Sequence, residues 1–542
     1  MKRPLIRQFD YSIIRLFAAL ALCATAAAAS AMPLGLRLTQ QAAAAKGAAE
    51  KDPLLLTEAE AYERYAPDTA FVIDLDLAGT TTISLNPAQH GVGNSYIKID
   101  WGDGTVEENC FCWYHGTEHY HTYAKSGRYV IRTGAVSDVF YERETKLGVL
   151  RVLRWADFPK GTKMTGGLFG CKTVTAFPDG SLARWPSGVT SLSLVYYGCT
   201  GLNVTKLPAW PSGVTSLSSV YSGCTGLNVT KLPKWPEGLT TLVGHGGWGR
   251  GFYTGPGIRP EKIPEWPNGL ERIEGCVYDG CVNIKSTVPK WPSSLKQITL
   301  PDYNTYNTRC VYQDCTGLYG DVPAWPDTLE YANFVYSGCS GLTGRIPDWP
   351  ATLTQIKDTY RYCTGLTGAI PQKWPDGVTA IGGVYSGCTG LTGAIPQKWP
   401  DGVTSLSSVY AGCTGLTFTE LPAWPETLVT CNSVYYNTFP ASMREQCKGL
   451  VIPKWPANVQ YAAYTYRYCG GLTGSIPAWG EAMKEVSLCY DGCSGLTGAW
   501  TTVASELMPT NITSHASCVT GTSSDLRALF YSDWGGNRPK EE

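Results

Sequence analysis

Cys110, Cys112, His115, His119 and His121 fall within a dozen positions and bring together thiol and imidazole, the donors that suit zinc. Their spacing matches no standard zinc motif, and two thiols in an exported chain can also be oxidised. The sequence therefore predicts no metal and no cofactor. A second set of cysteines recurs along the chain at Cys171, Cys199, Cys224, Cys281, Cys315, Cys339, Cys363, Cys388, Cys413, Cys447, Cys469 and Cys493. One thiol per repeat could suggest metal or disulfide chemistry. The simpler reading is a buried reduced ladder, because Cys packs as a small hydrophobe with a weak S–H donor. Cys276, Cys310, Cys431 and Cys489 stand outside that ladder. Cys276 and Cys310 each precede a ladder cysteine by the same offset, so stacked coils would place them about 4.8 Å apart, within disulfide reach. Two further buried thiols are the alternative.

The elements that position these residues follow from an internal repeat. Trp185, Trp210, Trp235, Trp266, Trp291, Trp325, Trp349, Trp374, Trp399, Trp424 and Trp455 recur, each followed by Pro, with Trp155 and Trp479 as degenerate outer members. Most steps are 24 or 25 residues. One unit runs from Ile395 through Trp399, Val403, Leu406, Val409, Tyr410 and Cys413 to Leu416. A single unit cannot bury its apolar side alone, so units must stack into a solenoid with a parallel sheet along one side. The expected fold is mainly β: a solenoid of about 12–13 coils, period 24–25, preceded by a small β-sandwich.

The recurrent Gly-Cys-Thr-Gly-Leu-Thr-Gly-x-Ile-Pro segment, with Tyr three residues before the Cys, resembles bacterial surface leucine-rich repeats of the BspA type. The Leu-Thr-Gly-x-Ile-Pro piece also resembles the plant-type repeat, and the Ile-Pro-x-Trp-Pro corner departs from both. The Trp ladder reads first as corner packing and second as platforms for sugar rings or a partner protein. The phenol of the Tyr ladder needs a polar partner or water, so a partly exposed stripe including Tyr336, Tyr360, Tyr385 and Tyr410 is a candidate ligand contact. Three longer steps mark insertions, which in solenoids often lie on a binding face. The Gly-rich one from Gly244 to Tyr253 offers Trp248, Arg250, Phe252 and Tyr253 as further candidate contacts. Leu391 is expected in the interior.

Ahead of the repeats, Phe71–Leu77 and Tyr96–Trp101 alternate apolar and polar, as half-buried strands do. The turn Gly102-Asp103-Gly104-Thr105, then His121, Tyr123 and Gly127–Tyr129, resembles a PKD-like β-sandwich. That resemblance implies a spacer or binding module on a surface protein. Lys2, Arg3 and Arg7 precede an apolar stretch that ends in Ala29-Ser30-Ala31, the order of a secretory signal peptide. The predicted layout is 1–31 signal peptide, 32–65 Ala-rich linker, 66–150 sandwich, 151–500 leucine-rich-repeat solenoid and 501–542 C-terminal cap. With Cys23 removed in the leader, an odd number of the 20 cysteines remains.

A formal net charge of −1 and only 16% charged residues give no field that selects nucleic acid. No second apolar run of membrane-spanning length follows the leader. Glu237, Asp327, Asp376 and Glu426 sit at variable corner positions, the pattern of solvated turns rather than paired catalytic carboxylates. The sequence thus predicts a non-enzymatic, secreted or cell-surface bacterial protein for recognition or adhesion. Its expected partner is a protein or glycan on another cell or matrix. A carbohydrate-binding or structural surface component is the alternative.

Overall fold

In the computed structural model, the described residues run from 52 to 498, with gaps chiefly at 66–70, 78–80, 86–94, 113–118, 134–146, 245–250 and 299–310, plus the stretch 518–522. The expected signal peptide, the linker before residue 52, Trp248, Arg250, Cys310 and nearly all of the C-terminal cap lie outside them.

The linker's last residues form a short helix, α1 (Glu58–Tyr65). Its N-terminus carries a capping box: Glu60 reaches back to the Thr57 backbone N–H at 2.8 Å, and the Thr57 hydroxyl accepts from the Glu60 N–H at 3.3 Å. Ala61 and Tyr65 are its buried side.

Seven strands follow: β1 (Phe71–Leu77), β2 (Thr81–Leu85), β3 (Ser95–Asp100), β4 (Val106–Cys112), β5 (His119–Tyr123), β6 (Gly127–Thr133) and β7 (Leu147–Arg154). Five form an antiparallel sheet in the order β4-β3-β6-β1-β7, and β2 pairs with β5. Ile73, Leu75, Ile97 and Ile131 from the larger sheet and Ile83, Leu85 and Tyr123 from the smaller one share one core. The sheet extends past the expected boundary at 150. β7 also bridges from Leu150 to Val174, so its far end already opens the solenoid.

The repeats wind into a parallel β-solenoid. Eleven short strands, from Thr162–Thr165 to Thr430–Asn432, pair in register, and bridges at Tyr461 and Glu485 continue the stack. Most of these strands turn their central residue to the interior: Ile356, Ile381 and Leu406 are buried, while the Ser405 and Ser407 that flank Leu406 are only partly covered. Such burial is worth about 1.5–3 kcal/mol per aliphatic side chain. Leu391 is buried, as the repeat predicts. After each Trp-Pro corner the chain closes a turn, as when the Val403 N–H donates to the Pro400 carbonyl at 3.2 Å. Among the described residues, no helix is long and apolar enough to cross a membrane.

The indoles form one continuous stack, for example Trp399 on Trp424 at 6.2 Å and 7°. Trp155 and Trp479 join it at 6.5 and 6.1 Å, so both are full members. The phenols form a second stack beside it, for example Tyr336 on Tyr360 at 5.7 Å and 9°. Here the structure corrects the sequence expectation. Tyr336, Tyr360, Tyr385 and Tyr410 are 0% exposed and cannot touch a ligand. For three of these four phenols the polar partner that burial demands comes from the preceding coil. The indole N–H of Trp291, Trp325 and Trp349 donates to the hydroxyl of Tyr336, Tyr360 and Tyr385 at 3.0–3.2 Å.

The first insertion is likewise not a loop of exposed aromatics at its described end. Phe252 and Tyr253 are 0% exposed, and Tyr253 stacks between Tyr221 and Tyr278 at 6.0 and 5.7 Å. Tyr435 supplies the ladder phenol of the coil that holds the last insertion.

Most ladder thiols share one task. Cys363, Cys388 and Cys413 donate S–H to the backbone carbonyl of Tyr336, Tyr360 and Tyr385 in the preceding coil, at 2.8–2.9 Å. Spacing assigns Cys447 to this ladder, but Thr438 holds the position and donates its hydroxyl to the Tyr410 carbonyl at 2.7 Å. A hydroxyl can make the same bond, which hides the substitution from a search for Cys. Burial pushes the Cys388 and Cys469 thiols up to about 12, so they stay protonated. Cys276 is buried, and its expected disulfide partner Cys310 is outside the described residues.

Candidate functional site

With the ladders interior, the outward aromatics become informative. Two residues after each ladder Tyr the backbone turns left-handed. Glycine holds that place in most coils, as at Gly387 (φ 76°) and Gly412 (φ 72°). Asp314 and Asn437 hold it in two others, and both types tolerate the conformation. Tyr362 (φ 58°) and Tyr468 (φ 62°) also hold it. A bulky side chain there costs about 1–3 kcal/mol and persists only where its surroundings fix it.

The surroundings do fix it. The Tyr362 ring lies over Gly387 of the next coil; a Cβ on Gly387 would stand 2.3 Å from the Tyr362 ring. Tyr468 lies over Gly492 in the same way, with the corresponding approach 2.7 Å. Each ring is backed by the Arg that precedes it. The Arg361 guanidinium sits 4.8 Å from the Tyr362 centroid and donates to its hydroxyl at 3.3 Å. The Arg467 guanidinium sits 4.4 Å from Tyr468 and donates to its hydroxyl at 2.6 Å. A carboxylate anchors each Arg: Asp358 at 3.4 Å from Arg361 and Asp491 at 2.8 Å from Arg467. Burial raises the Asp358 carboxyl above the usual carboxylate value, and Arg361 and Lys357 oppose that rise.

Both residues nonetheless stay exposed to solvent, Tyr362 at 52% and Tyr468 at 42%. Around Tyr468 the patch widens. Tyr436 meets it edge-on at 5.7 Å, and Arg467 also covers Tyr464 at 5.4 Å. The two platforms stand four coils apart, roughly 20 Å along the stack. A rigid aromatic face, a fixed cation and an outward phenol edge can stack on a flat or ring-shaped group and hydrogen-bond its polar rim.

Sequence reasoning marked the buried ladder Tyr and passed over this pair. The signal was present: Tyr360-Arg361-Tyr362-Cys363 and Tyr466-Arg467-Tyr468-Cys469 are the same tetrapeptide, with Tyr where the repeat has Gly. A second surface, a groove of about 1060 Å³, lies between the corners of Trp235 and Trp266 and is lined by Lys231, Lys234, Glu237 and Lys262. Both its indoles are nearly buried, and its charges are of both signs. No family model matches the chain, and no curated protein matches it.

Proposed function

We propose that the chain is an exported surface recognition or adhesion protein. The solenoid is its scaffold, and the Tyr362–Arg361 and Tyr468–Arg467 platforms are its ligand contacts. The observation that carries this reading is a left-handed backbone held at two outward aromatics, Tyr362 and Tyr468, at a place where most coils, including the following ones at Gly387 and Gly492, use Gly. Strain of that kind is retained where a side chain is needed at the surface. The leader-like residues 1–31 support export, and the bacterial surface repeats that the coils resemble support display on a bacterial cell. Binding, rather than turnover, fits the charge distribution: corner carboxylates such as Asp376 and Asp401 are exposed and paired with Lys373 and Lys398.

Carbohydrate is a specific second reading, because an exposed ring flanked by Arg and a carboxylate can stack on a sugar face. A glycan array probed beside immobilised matrix proteins separates the two. Saturable retention on one class identifies the ligand, and retention on neither contradicts the recognition role.

A further inference from the structure

The β4–β5 region carries a side-chain cluster that the repeats do not use. Donor atoms of Glu107, Cys110 and His119 lie within 4.8 Å of one another. The sequence gathered cysteines and histidines here and set a metal aside for want of a motif. It did not include Glu107, and backbone geometry explains why. Residues three apart on a regular strand point to opposite faces. β4 is not regular. Its pairing to β3 slips, with Ile97 opposite Cys110 but Ile99 opposite Glu107, so one extra residue is accommodated between them. Asn109 takes a left-handed conformation at φ 58° within that bulge. The bulge brings Glu107 and Cys110 to one side. β4 is the edge of its sheet, where bulges commonly re-aim side chains. His119 approaches from β5 in the other sheet, and its Nδ1 lies 3.1 Å from Glu107 Oε1.

We propose that Glu107, Cys110 and His119 form a site for a divalent transition cation of zinc type, with water as the fourth ligand. The donor set is one thiolate, one imidazole and one carboxylate, each an established zinc ligand. Ligand atoms around tetrahedral zinc stand roughly 3.5 Å apart; the Glu107 and His119 donors already stand 3.1 Å apart, and all three lie within 4.8 Å of one another, so small side-chain adjustments would bring the set to that spacing. Cys110 is 2% exposed and the His119 side chain 11%, which shields two ligands, while Glu107 at 42% leaves an entry path. The metal would tie the sheet edge at β4 to β5, which belongs to the other sheet. His121 lies two residues on but is engaged elsewhere, against Asp103 at 2.8 Å.

The test uses the full chain, stripped with chelator and titrated with Co2+ while absorbance is followed, then competed with Zn2+. One equivalent is expected, with a thiolate-to-cobalt band in the near ultraviolet. Cys110→Ser is expected to lose that band. Glu107→Gln, a surface change that leaves folding intact, is expected to weaken Zn2+ by at least about tenfold, the lower end of what even an outer-shell partner contributes. Zn2+ is expected to raise the melting temperature of the unsubstituted chain but not of His119→Gln. Absence of a stoichiometric site, a thiolate band that survives in Cys110→Ser, or unchanged affinity in Glu107→Gln would each overturn the proposal.

Discussion

Tyr360 and Tyr362 are two residues apart and have opposite fates. Tyr360 belongs to a stack of phenols that runs from Tyr196 to Tyr490; it is fully buried and hydrogen-bonded to Trp325 of the coil before. Tyr362 occurs at its position in only two coils, stands in a strained backbone conformation and presents its ring to solvent. In a stacked repeat, what recurs in every coil must satisfy the neighbouring coil, so it is architecture. What departs from the repeat at a cost has been kept for something outside the stack. An abundance of aromatic residues alone says neither.

Breaking the inner region should give the largest effect, and alkaline pH does so everywhere at once. Burial holds the ladder thiols and phenols neutral, with Cys388 and Cys469 pushed from the ordinary 9.0 up to about 12 and Tyr360 raised well above its usual value. The unfolded chain loses these protons near their ordinary values and the folded chain does not. Stability from these groups is therefore intact below about pH 9 and falls as pH rises toward 12, by about 1.4 kcal/mol per unit for each ionised group. Circular dichroism across pH 8–12 should show cooperative unfolding near about pH 10–11. A structure retained to pH 12 would mean that the ladders are wet.

A single interior cut is smaller. Leu391→Ala should cost about 2–5 kcal/mol in chemical denaturation, because neighbours in a stack can only partly close the cavity. Replacing Tyr362 by Gly, the residue of most other coils, should by contrast change stability by less than about 1 kcal/mol in either direction. Relief of left-handed strain offsets the added freedom of the unfolded chain. A loss as large as that at Leu391 would return Tyr362 to the architectural class.

Much of this architecture could be read from residue types. The spacing of Trp, Leu and Cys fixed the period, the parallel stacking and the interior position of Leu391. The side-chain pairing between coils could not be read. Nothing in one unit says that Trp325 will reach the phenol of the next coil, so Tyr360 looked in need of water. Thr438 replaced Cys in the ladder through a bond that either side chain can make. The Tyr253 phenol hid behind an insertion that blurred the register. At the candidate site, Tyr362 and Tyr468 were visible as departures from Gly, but their meaning depends on φ, which sequence does not carry. The Asn109 bulge, which sets Glu107 beside Cys110, is likewise a backbone event.

The claim that the two outward tyrosines are the binding surface is tested most directly by the double change Tyr362→Gly and Tyr468→Gly. The full chain and this variant would be passed over immobilised chitin, cellulose, xylan, mannan, collagen and fibronectin, with melting temperatures measured alongside. The account predicts that the unsubstituted chain is retained on at least one of these. The variant, melting within a few degrees of it, should be retained at least about tenfold less, as expected if each ring contributes about 1 kcal/mol of stacking. Equal retention of a folded variant would contradict the account.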